Sequence, residues 1–368
     1  MVETVATLSP PVSLPVSRPV SAPRGQTPGK APPAFAALDL GTNNCRLLVA
    51  SPQGDGFRVL DSFSRIVRLG EGLHDTGRLS PPAMERAMGA LRACAARLAR
   101  RPIRHLRAIA TEACRQAANG REFLASVQRE TGLAIDIIST REEAELALES
   151  CAPLLAEADR AERRALLFDI GGGSTEVAWV RRNPDGVPSL IGYQSLPVGV
   201  VTLAERFGDA AYTDAGFAAM VQDVVARLSR FEGVHCIAHE IRQGGVRLLG
   251  TSGTVTTLAG IALNLPRYRR PLVDGVVLSR AQASDALAQL RAMGRDGLIQ
   301  HPCVGPERVS FVLPGCAVFA AITQLWPAPS VVVADRGLRE GILLRMIRAD
   351  RARSACRGAP APEAGGSA

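Results

Sequence analysis

Lysine is almost missing from this chain. Lys30 is the only one, and every other basic residue is an arginine. A phosphate loop of the GxxxxGK[ST] type is therefore excluded, as is any lysine Schiff base. A phosphate clamp in the body of the chain must use arginine, backbone N–H groups or a metal. Cysteine is sparse too. Eight lie singly at positions 45, 94, 114, 151, 236, 303, 316 and 356, and no two form a CxxC pair. That pattern is neither a zinc site nor a disulfide framework, and it suits a reducing compartment, so a cytoplasmic location is expected. Aromatics make up 4% of residues and no arginine stripe is interleaved with them, which argues against a base-stacking surface and a nucleic-acid partner. No apolar run approaches the ~20 residues needed to cross a bilayer, so no membrane partner is expected.

The ends have little hydrophobic content. Residues 1–33 hold eight prolines, Glu3 and no continuous apolar stretch, which reads as a disordered leader and not a signal peptide. Residues 348–368 are polar and small and are expected to be a disordered tail. The formal charge of +8 is concentrated at these ends, leaving the body with only about +4, a bias that suits an anionic ligand without demanding nucleic acid. Between the ends, 368 residues at 46% hydrophobic content can support two ordinary cores.

The most informative stretch is Phe168–Val180, FDIGGGSTEVAWV. An apolar run (Ala165 to Phe168) ends in Asp169, three glycines follow, and a second apolar run begins at Val177. Strand, glycine turn, strand is a hairpin pattern. Three glycines exceed what a turn needs, and successive N–H groups without Cβ atoms can close around an anion. The plain alternative is an ordinary hairpin whose aspartate caps the turn. A second copy favours the anion reading. Leu38–Val49 reads LDLGTNNCRLLV, so Asp39, Leu40 and Gly41 match Asp169, Ile170 and Gly171. A repeated unit of this kind suggests two related halves sharing a cleft. A third turn, Gly250-Thr251-Ser252-Gly253-Thr254, leads into a helical run from Val255 to Leu263, another place for phosphate at a helix N-terminus. Together the three turns resemble the phosphate-binding apparatus of the actin, sugar-kinase and heat-shock ATPase superfold.

Strands and helices alternate along the body. Phe35–Leu40, Cys45–Ala50 and Phe57–Phe63 read as strands. Ser80 is a suitable N-cap with Pro81 at the first helical position, and apolar residues at helical spacing carry that helix to about Arg101. Leu106–Ala110 reads as a strand, ATEACRQAANG opens a helix ending near Gly132, and Ala134–Ile138 closes the first half. That order fits one actin-like half with parallel central strands. The next segment, Ser139-Thr140-Arg141-Glu142-Glu143-Ala144-Glu145, contains a capping box, Ser139 with Glu142 or Thr140 with Glu143. Only one of the two glutamates can cap; the other, just beyond a sheet strand, is placed to act as a base for water attacking a bound phosphate. His235 and His239 lie four apart in VHCIAHE but lack the glutamate of HExxH and a third ligand, so they read as structural. Arg267-Tyr268-Arg269-Arg270 reads as a solvated loop within reach of a polyanion's outer phosphates, and Asp335–Gly341 as hinge and packing.

DLGTNNCRLLV, ATEACRQAAN, IISTREEAEL, FDIGGGSTE, GTSGTVTTLA and GLREGIL occur in this order, and together they resemble the exopolyphosphatase / guanosine pentaphosphate phosphohydrolase (Ppx/GppA) family over roughly residues 35–347. The resemblance implies an α/β fold of two actin-like (ribonuclease H-like, ASKHA superfold) domains with an interdomain cleft. Residues 34–160 would form domain I and 161–347 domain II, with a closing helix of about 338–347 packed back on domain I. It implies a short member without the C-terminal HD-like domain. The implied activity is release of terminal orthophosphate from inorganic polyphosphate, or from pppGpp to give ppGpp, using Mg2+ or another divalent cation.

Carried over residue by residue, Glu143 is the implied general base. Asp39, Asp169 and Glu176 are implied for the metal, and Gly41, Thr42, Asn43, Arg115, Gly171, Gly172, Gly173, Ser174, Gly253 and Thr254 for phosphate. Thr140 and Glu145 depart from the family's usual residues, and Glu145 replaces an arginine, which would weaken a nearby positive field. A homodimer is compatible with the resemblance, although nothing in the sequence sets it. A kinase of the same superfold and a non-catalytic (p)ppGpp-sensing scaffold remain as alternatives.

Overall fold

A computed structural model describes residues 33–156, 162–183 and 188–358. The expected leader and the expected boundary between residues 160 and 161 lie outside the described residues. Among the described residues, eleven strands form two sheets. The first contains β1 (Ala34–Leu40), β2 (Asn44–Gln53), β3 (Gly56–Ile66), β4 (Ile103–Ala110) and β5 (Asp136–Ile137) in the order β3-β2-β1-β4-β5. The second contains β6 (Arg164–Ile170), β7 (Thr175–Arg182), β8 (Pro188–Leu196), β9 (Val246–Thr251), β10 (Val277–Ser279) and β11 (Ser330–Ala334), in the order β10-β11-β9-β6-β7-β8. In each sheet an antiparallel hairpin precedes a parallel pair: β1 with β4, and β6 with β9. Apart from the added edge strand β10, the second sheet repeats the topology of the first, and the motif duplication in the sequence is thus a duplication of architecture.

The helices are α1 (Leu73–Thr76), α2 (Pro81–Leu98), α3 (Glu112–Gln116), α4 (Gly120–Thr131), α5 (Thr140–Ala156), α6 (Val200–Phe207) and α7 (Asp214–His235). They continue with α8 (Ile237–Arg242), α9 (Gly253–Ala262), α10 (Arg270–Val273), α11 (Arg280–Ala292), α12 (Gly294–Gln300), α13 (Val309–Leu325) and α14 (Leu338–Gly358). None among the described residues is long and apolar enough to cross a membrane.

Strand alternation divides the interior into three layers, because successive side chains point to opposite faces of a sheet. On β1, Ala36, Leu38 and Leu40 face outward into a core with α2 and α4, whereas Phe35 and Ala37 face inward. On β6, Leu166, Phe168 and Ile170 face a core with α7, α9 and α13, whereas Ala165 and Leu167 face inward. The inward residues of both sheets meet α5 and α14, which contribute Leu146, Cys151, Leu155, Ile342, Leu343 and Ile347 to the shared layer. Both faces of each central strand are therefore buried, which explains why these strands read as nearly continuous apolar runs.

Local chemistry sets the helix ends. Ser80 caps α2 as expected, its hydroxyl accepting from the Ala83 N–H. The helix expected from ATEACRQAANG to Gly132 is instead two helices broken at Ala117–Asn119, where Ala117 is extended. The break lets Gly120 sit against Cys114: a Cβ there would lie 2.2 Å from the Cys114 carbonyl oxygen. The expected strand over 134–138 pairs only at Asp136 and Ile137. The closing helix packs against β1, β2 and α5 and runs to Gly358, so residues 348–358 are helix and not tail. Ion pairs hold this extension. Arg345 and Arg348 both engage Glu149, while Asp350 pairs with Arg104 (3.0 Å) and His105 (3.2 Å) of β4. Beyond Gly341, no glycine or proline occurs in the helix before Gly358.

Candidate active site

The two hairpin turns are built alike. The Gly41 N–H donates to the Asn44 carbonyl at 2.9 Å, and the Gly171 N–H donates to the Ser174 carbonyl at 2.9 Å. Their tips meet. A Cβ on Gly172 would come 3.1 Å from Thr42 Cβ, and one on Gly173 would lie 2.8 Å from Thr42 Oγ1, so bare glycine backbone is what lets the two lobes touch here. The carbonyls of Gly171 and Gly172 accept from Val200 N–H (3.0 Å) and Val201 N–H (2.8 Å) at the start of α6. That leaves the N–H groups of Gly172 and Gly173 without a protein acceptor among the described residues, at the edge of the cleft. A helix N-terminus thus orients this loop from behind, turning its donors toward a ligand.

A cleft of about 850 Å³ opens from the meeting point. Of the residues expected at the site, it is lined by Asp39, Gly41, Thr42, Asn43, Glu143, Asp169, Glu176, Gly171 through Ser174, Gly253 and Thr254. The third turn is less free than expected. Ser252, held at φ 137°, accepts from the N–H groups of Thr254 and Val255, so its own hydroxyl fills part of the α9 N-terminus. Arg115 is also placed otherwise. Its guanidinium donates to Glu112, Glu143 and the Ile138 carbonyl, and it does not line the cleft. Of the two neighbouring glutamates, Glu142 donates its backbone N–H to Ser139 Oγ and pairs outward with Arg107 at 2.6 Å, while Glu143 turns inward. Glu145 pairs with Arg141 at 2.9 Å on the outer face of α5 and is not part of the cleft, so its difference from the family residue does not act on the site directly.

Acid dominates the floor. Glu143 is 7% exposed and Glu176 5%. Burial pushes Glu143 well up, and the negative charge of Glu176 adds to this, while Arg115 opposes it. Enclosure and the charge of Glu176 push Asp169 up to about 8. Burial likewise raises Asp39 and Glu176. Burial is the main cause in every case, and the nearby arginines only partly offset it.

A divalent ion would add to that offset. Among the described residues no three His, Cys, Asp or Glu side chains gather closely enough to form a metal cluster, so Asp39, Asp169 and Glu176 do not make a three-carboxylate cage. Mg2+ does not require one, since it is commonly held by one or two carboxylates, with water and phosphate oxygens filling the remainder. Asp39 Oδ1 and Asn43 Oδ1 are buried oxygens with no hydrogen-bond partner, and Asp169 stands directly across from Glu176 in the β6–β7 register. That donor set fits such an ion.

Basic residues line the cleft as well. Arg46, Arg270, Arg308, Arg336 and Arg339 line the cleft with Tyr268. Burial, reinforced by Arg46, lowers Arg308; burial also lowers Arg339. The sequence reading missed Arg46, Arg308, Arg336 and Arg339 as site residues. Its one available signal was the near-absence of lysine, which assigned any clamp to arginine without saying which. Tyr268 and Arg270 had been placed near a polyanion. They are tied to Asp335, itself in the segment read as hinge and packing. His235 ends α7 and stacks on Phe231 at 4.5 Å, while His239 lies on α8 beyond a left-handed Cys236, so the two do not share a helix face.

Residues 48–350 match the Ppx/GppA phosphatase family. The chain belongs to that family. A guanosine-5'-triphosphate,3'-diphosphate pyrophosphatase of Aeromonas salmonicida is 31% identical over 316 residues, 86% of this chain and 60% of that protein. The chain thus spans about 60% of the length of the curated relatives it matches. The crystal structure of the Aquifex aeolicus Ppx/GppA family member matches with a TM-score of 0.72 at 26% identity, covering 86% of this chain and 98% of that one. An exopolyphosphatase-like protein of known crystal structure matches with a TM-score of 0.76 at 29% identity, covering 85% and 97%. The two-lobed actin-like fold is common to these Ppx/GppA structures and to this chain.

Proposed function

We propose that the protein hydrolyses the terminal phosphoanhydride of an extended phosphate chain, releasing orthophosphate from inorganic polyphosphate, with pppGpp as the alternative substrate. The observation that carries this reading is the placement of Glu143. A buried carboxylate with a raised proton affinity lines the same cleft as two glycine turns, one of which offers unfilled N–H groups. Phosphoryl transfer to water needs positioning and charge neutralisation more than covalent help. The N–H groups of Gly172 and Gly173 bind oxygens of the terminal phosphate, and the cleft arginines take the phosphates that follow. Glu143 accepts a proton from a water aligned on the terminal phosphorus as the new P–O bond forms and the bridging P–O bond breaks; the shortened chain leaves with the bond's electron pair. A divalent cation held by one or two of the carboxylates Asp39, Asp169 and Glu176 would neutralise charge on the phosphate oxygens.

A general base of this kind contributes ~10²–10⁴-fold to the rate. Glu143→Gln should therefore lose at least ~100-fold in phosphate release while keeping its fold and most ligand binding. Near-normal turnover in that variant would remove the assignment. The names of the Aeromonas relatives favour pppGpp, and the cleft arginines suit either polyanion. Release of orthophosphate from polyphosphate, pppGpp and ATP, measured side by side with and without Mg2+, decides between them. Consumption of ATP dependent on a small acceptor would instead indicate a kinase.

A further inference from the structure

We propose that Glu112, which the reading above leaves without a role, is a positioning residue for Glu143. It grips Arg115 by one edge so that the guanidinium presents its other edge to a single oxygen of Glu143, leaving the second oxygen for the attacking water. The inference rests on the assignment of Glu143 as the base.

The hydrogen bonds are specific about edges. Glu112 Oε2 accepts from Arg115 Nε at 3.1 Å and from NH2 at 2.5 Å, taking the Nε–NH2 side of the fork. Arg115 NH1 donates to the Ile138 carbonyl at 2.8 Å and to Glu143 Oε2 at 3.1 Å, and NH2 also reaches Glu143 Oε2 at 3.1 Å. A guanidinium has five N–H donors in a fixed plane. These five contacts use all of them, so none remains for a phosphate. Both bonds to Glu143 fall on Oε2, which keeps Oε1 clear of the ion pair.

Without Glu112 the guanidinium would be free to rotate and take Glu143 in a two-oxygen fork, the geometry it favours with carboxylates. That would quench the base. Glu112 is itself fixed, 7% exposed, with Oε1 accepting from Gln116 Nε2 at 3.1 Å. It also abuts the phosphate turn, since a Cβ on Gly173 would sit 3.2 Å from Glu112 Cγ. One side chain therefore sets the base and the phosphate loop against each other. A buried carboxylate is costly unless paired, and here the pairing arginine does not itself line the cleft.

The test is a double-mutant cycle read by steady-state phosphate release. Misplacing a reacting group by about 1 Å costs on the order of 100-fold, so Glu112→Ala should lower kcat by ~10–100-fold. KM should stay within about threefold, because a positioning residue acts on the chemical step. Glu112→Gln, whose amide oxygen still accepts from the Nε–NH2 edge, should recover most of the loss. In a Glu143→Gln background the Glu112 substitutions should cost nothing further. A wild-type kcat in Glu112→Ala, a raised KM at unchanged kcat, or equal losses in both backgrounds would overturn the proposal. A loss in Glu143→Gln alongside an unaffected Glu112→Ala would sink only this inference, whereas full activity in Glu143→Gln would sink the base assignment and this inference with it. If Glu112→Ala does not fold, the same cycle with Glu112→Asp and Glu112→Gln applies, with Asp expected to be the slower enzyme.

Discussion

The two hairpins have the same fold but opposite charge logic. In the first, Asp39 faces Arg46 across the β1–β2 register; in the second, Asp169 faces Glu176 across β6–β7. The spacing from the aspartate is seven residues in both cases, so the same pleat position holds a cation in one lobe and an anion in the other. Opposite charges directly across a sheet stabilise it and like charges destabilise it, by ~0.2–1 kcal/mol. The first lobe is thus internally balanced, whereas the second concentrates negative charge that an external cation would offset. The turns are also backed differently. Loop two hangs its carbonyls on the N-terminus of α6. Loop one hangs the carbonyls of Thr42 and Asn43 on the N–H groups of Val67, Arg68 and Gly70, in a turn that forces Arg68 to φ 48°. A duplicated scaffold has been specialised by what stands opposite and behind each turn.

Four substitutions would break or sharpen this contrast. The largest effect is expected from Gly199→Ala, whose Cβ would fall 2.4 Å from the Gly172 carbonyl oxygen and 2.6 Å from that of Gly171. Loop two must shift, and kcat should fall by ~100-fold or more, with a lowered Tm.

Glu176→Gln comes next. Removing one of the like charges should cost up to ~100-fold in Mg2+-dependent rate while raising the stability of the metal-free protein by up to ~1 kcal/mol, so activity and Tm move in opposite directions. The pH dependence carries a sign as well. Asp169 at about 8 holds, in the folded state, a proton that the unfolded chain releases. The stability from that proton is present in acid and is lost as pH rises to about 8. Tm in chelator should therefore fall over that interval in the wild type, and fall less in Glu176→Gln.

Arg46→Glu would give the first lobe the charge pattern of the second. A loss of ~1 kcal/mol is expected, partly restored by added Mg2+, which melting with and without the ion would show. Arg68→Gly should have the smallest effect. It relieves a left-handed backbone, worth ~1–2 kcal/mol, but adds ~0.4–1 kcal/mol of unfolded-state entropy and gives up the cation–π contact of Arg68 with Phe311, worth ~0.5–1 kcal/mol, leaving Tm nearly unchanged.

Much of this was legible in the residues. Asp39, Asp169 and the glycine turns could be located because strand period and turn composition are local; helix capping left Glu142 and Glu143 open, and the family resemblance singled out Glu143. What local pattern could not supply were contacts between distant segments. Arg46, Arg308 and Arg339 converge from three parts of the chain, and nothing in the spacing of so many arginines singles them out. Arg115 is implied for phosphate by the family motif, yet Glu112, three residues earlier, Glu143 and the Ile138 carbonyl take its donors. The closing helix was cut short at Ile347 because the residues beyond it look like a solvated end; their partners, Glu149 and the β4 residues Arg104 and His105, lie about two hundred positions or more away. The glycine triplet had a further reason that the sequence hid, the contact of its backbone with Thr42 and Asn43 of the other lobe.

The middle layer has a bearing on how the molecule is made. Phe35, Ala37 and Leu48 are covered by Ile342, Leu343 and Ile347, about three hundred residues further along. During synthesis the earliest strands to emerge must wait, one apolar face uncovered, until nearly all of the described chain has been translated. Exposed surface of that kind invites misassociation. Ribosome-bound chains halted before and after residue 347 should therefore differ sharply in how well a protease cuts within the first lobe.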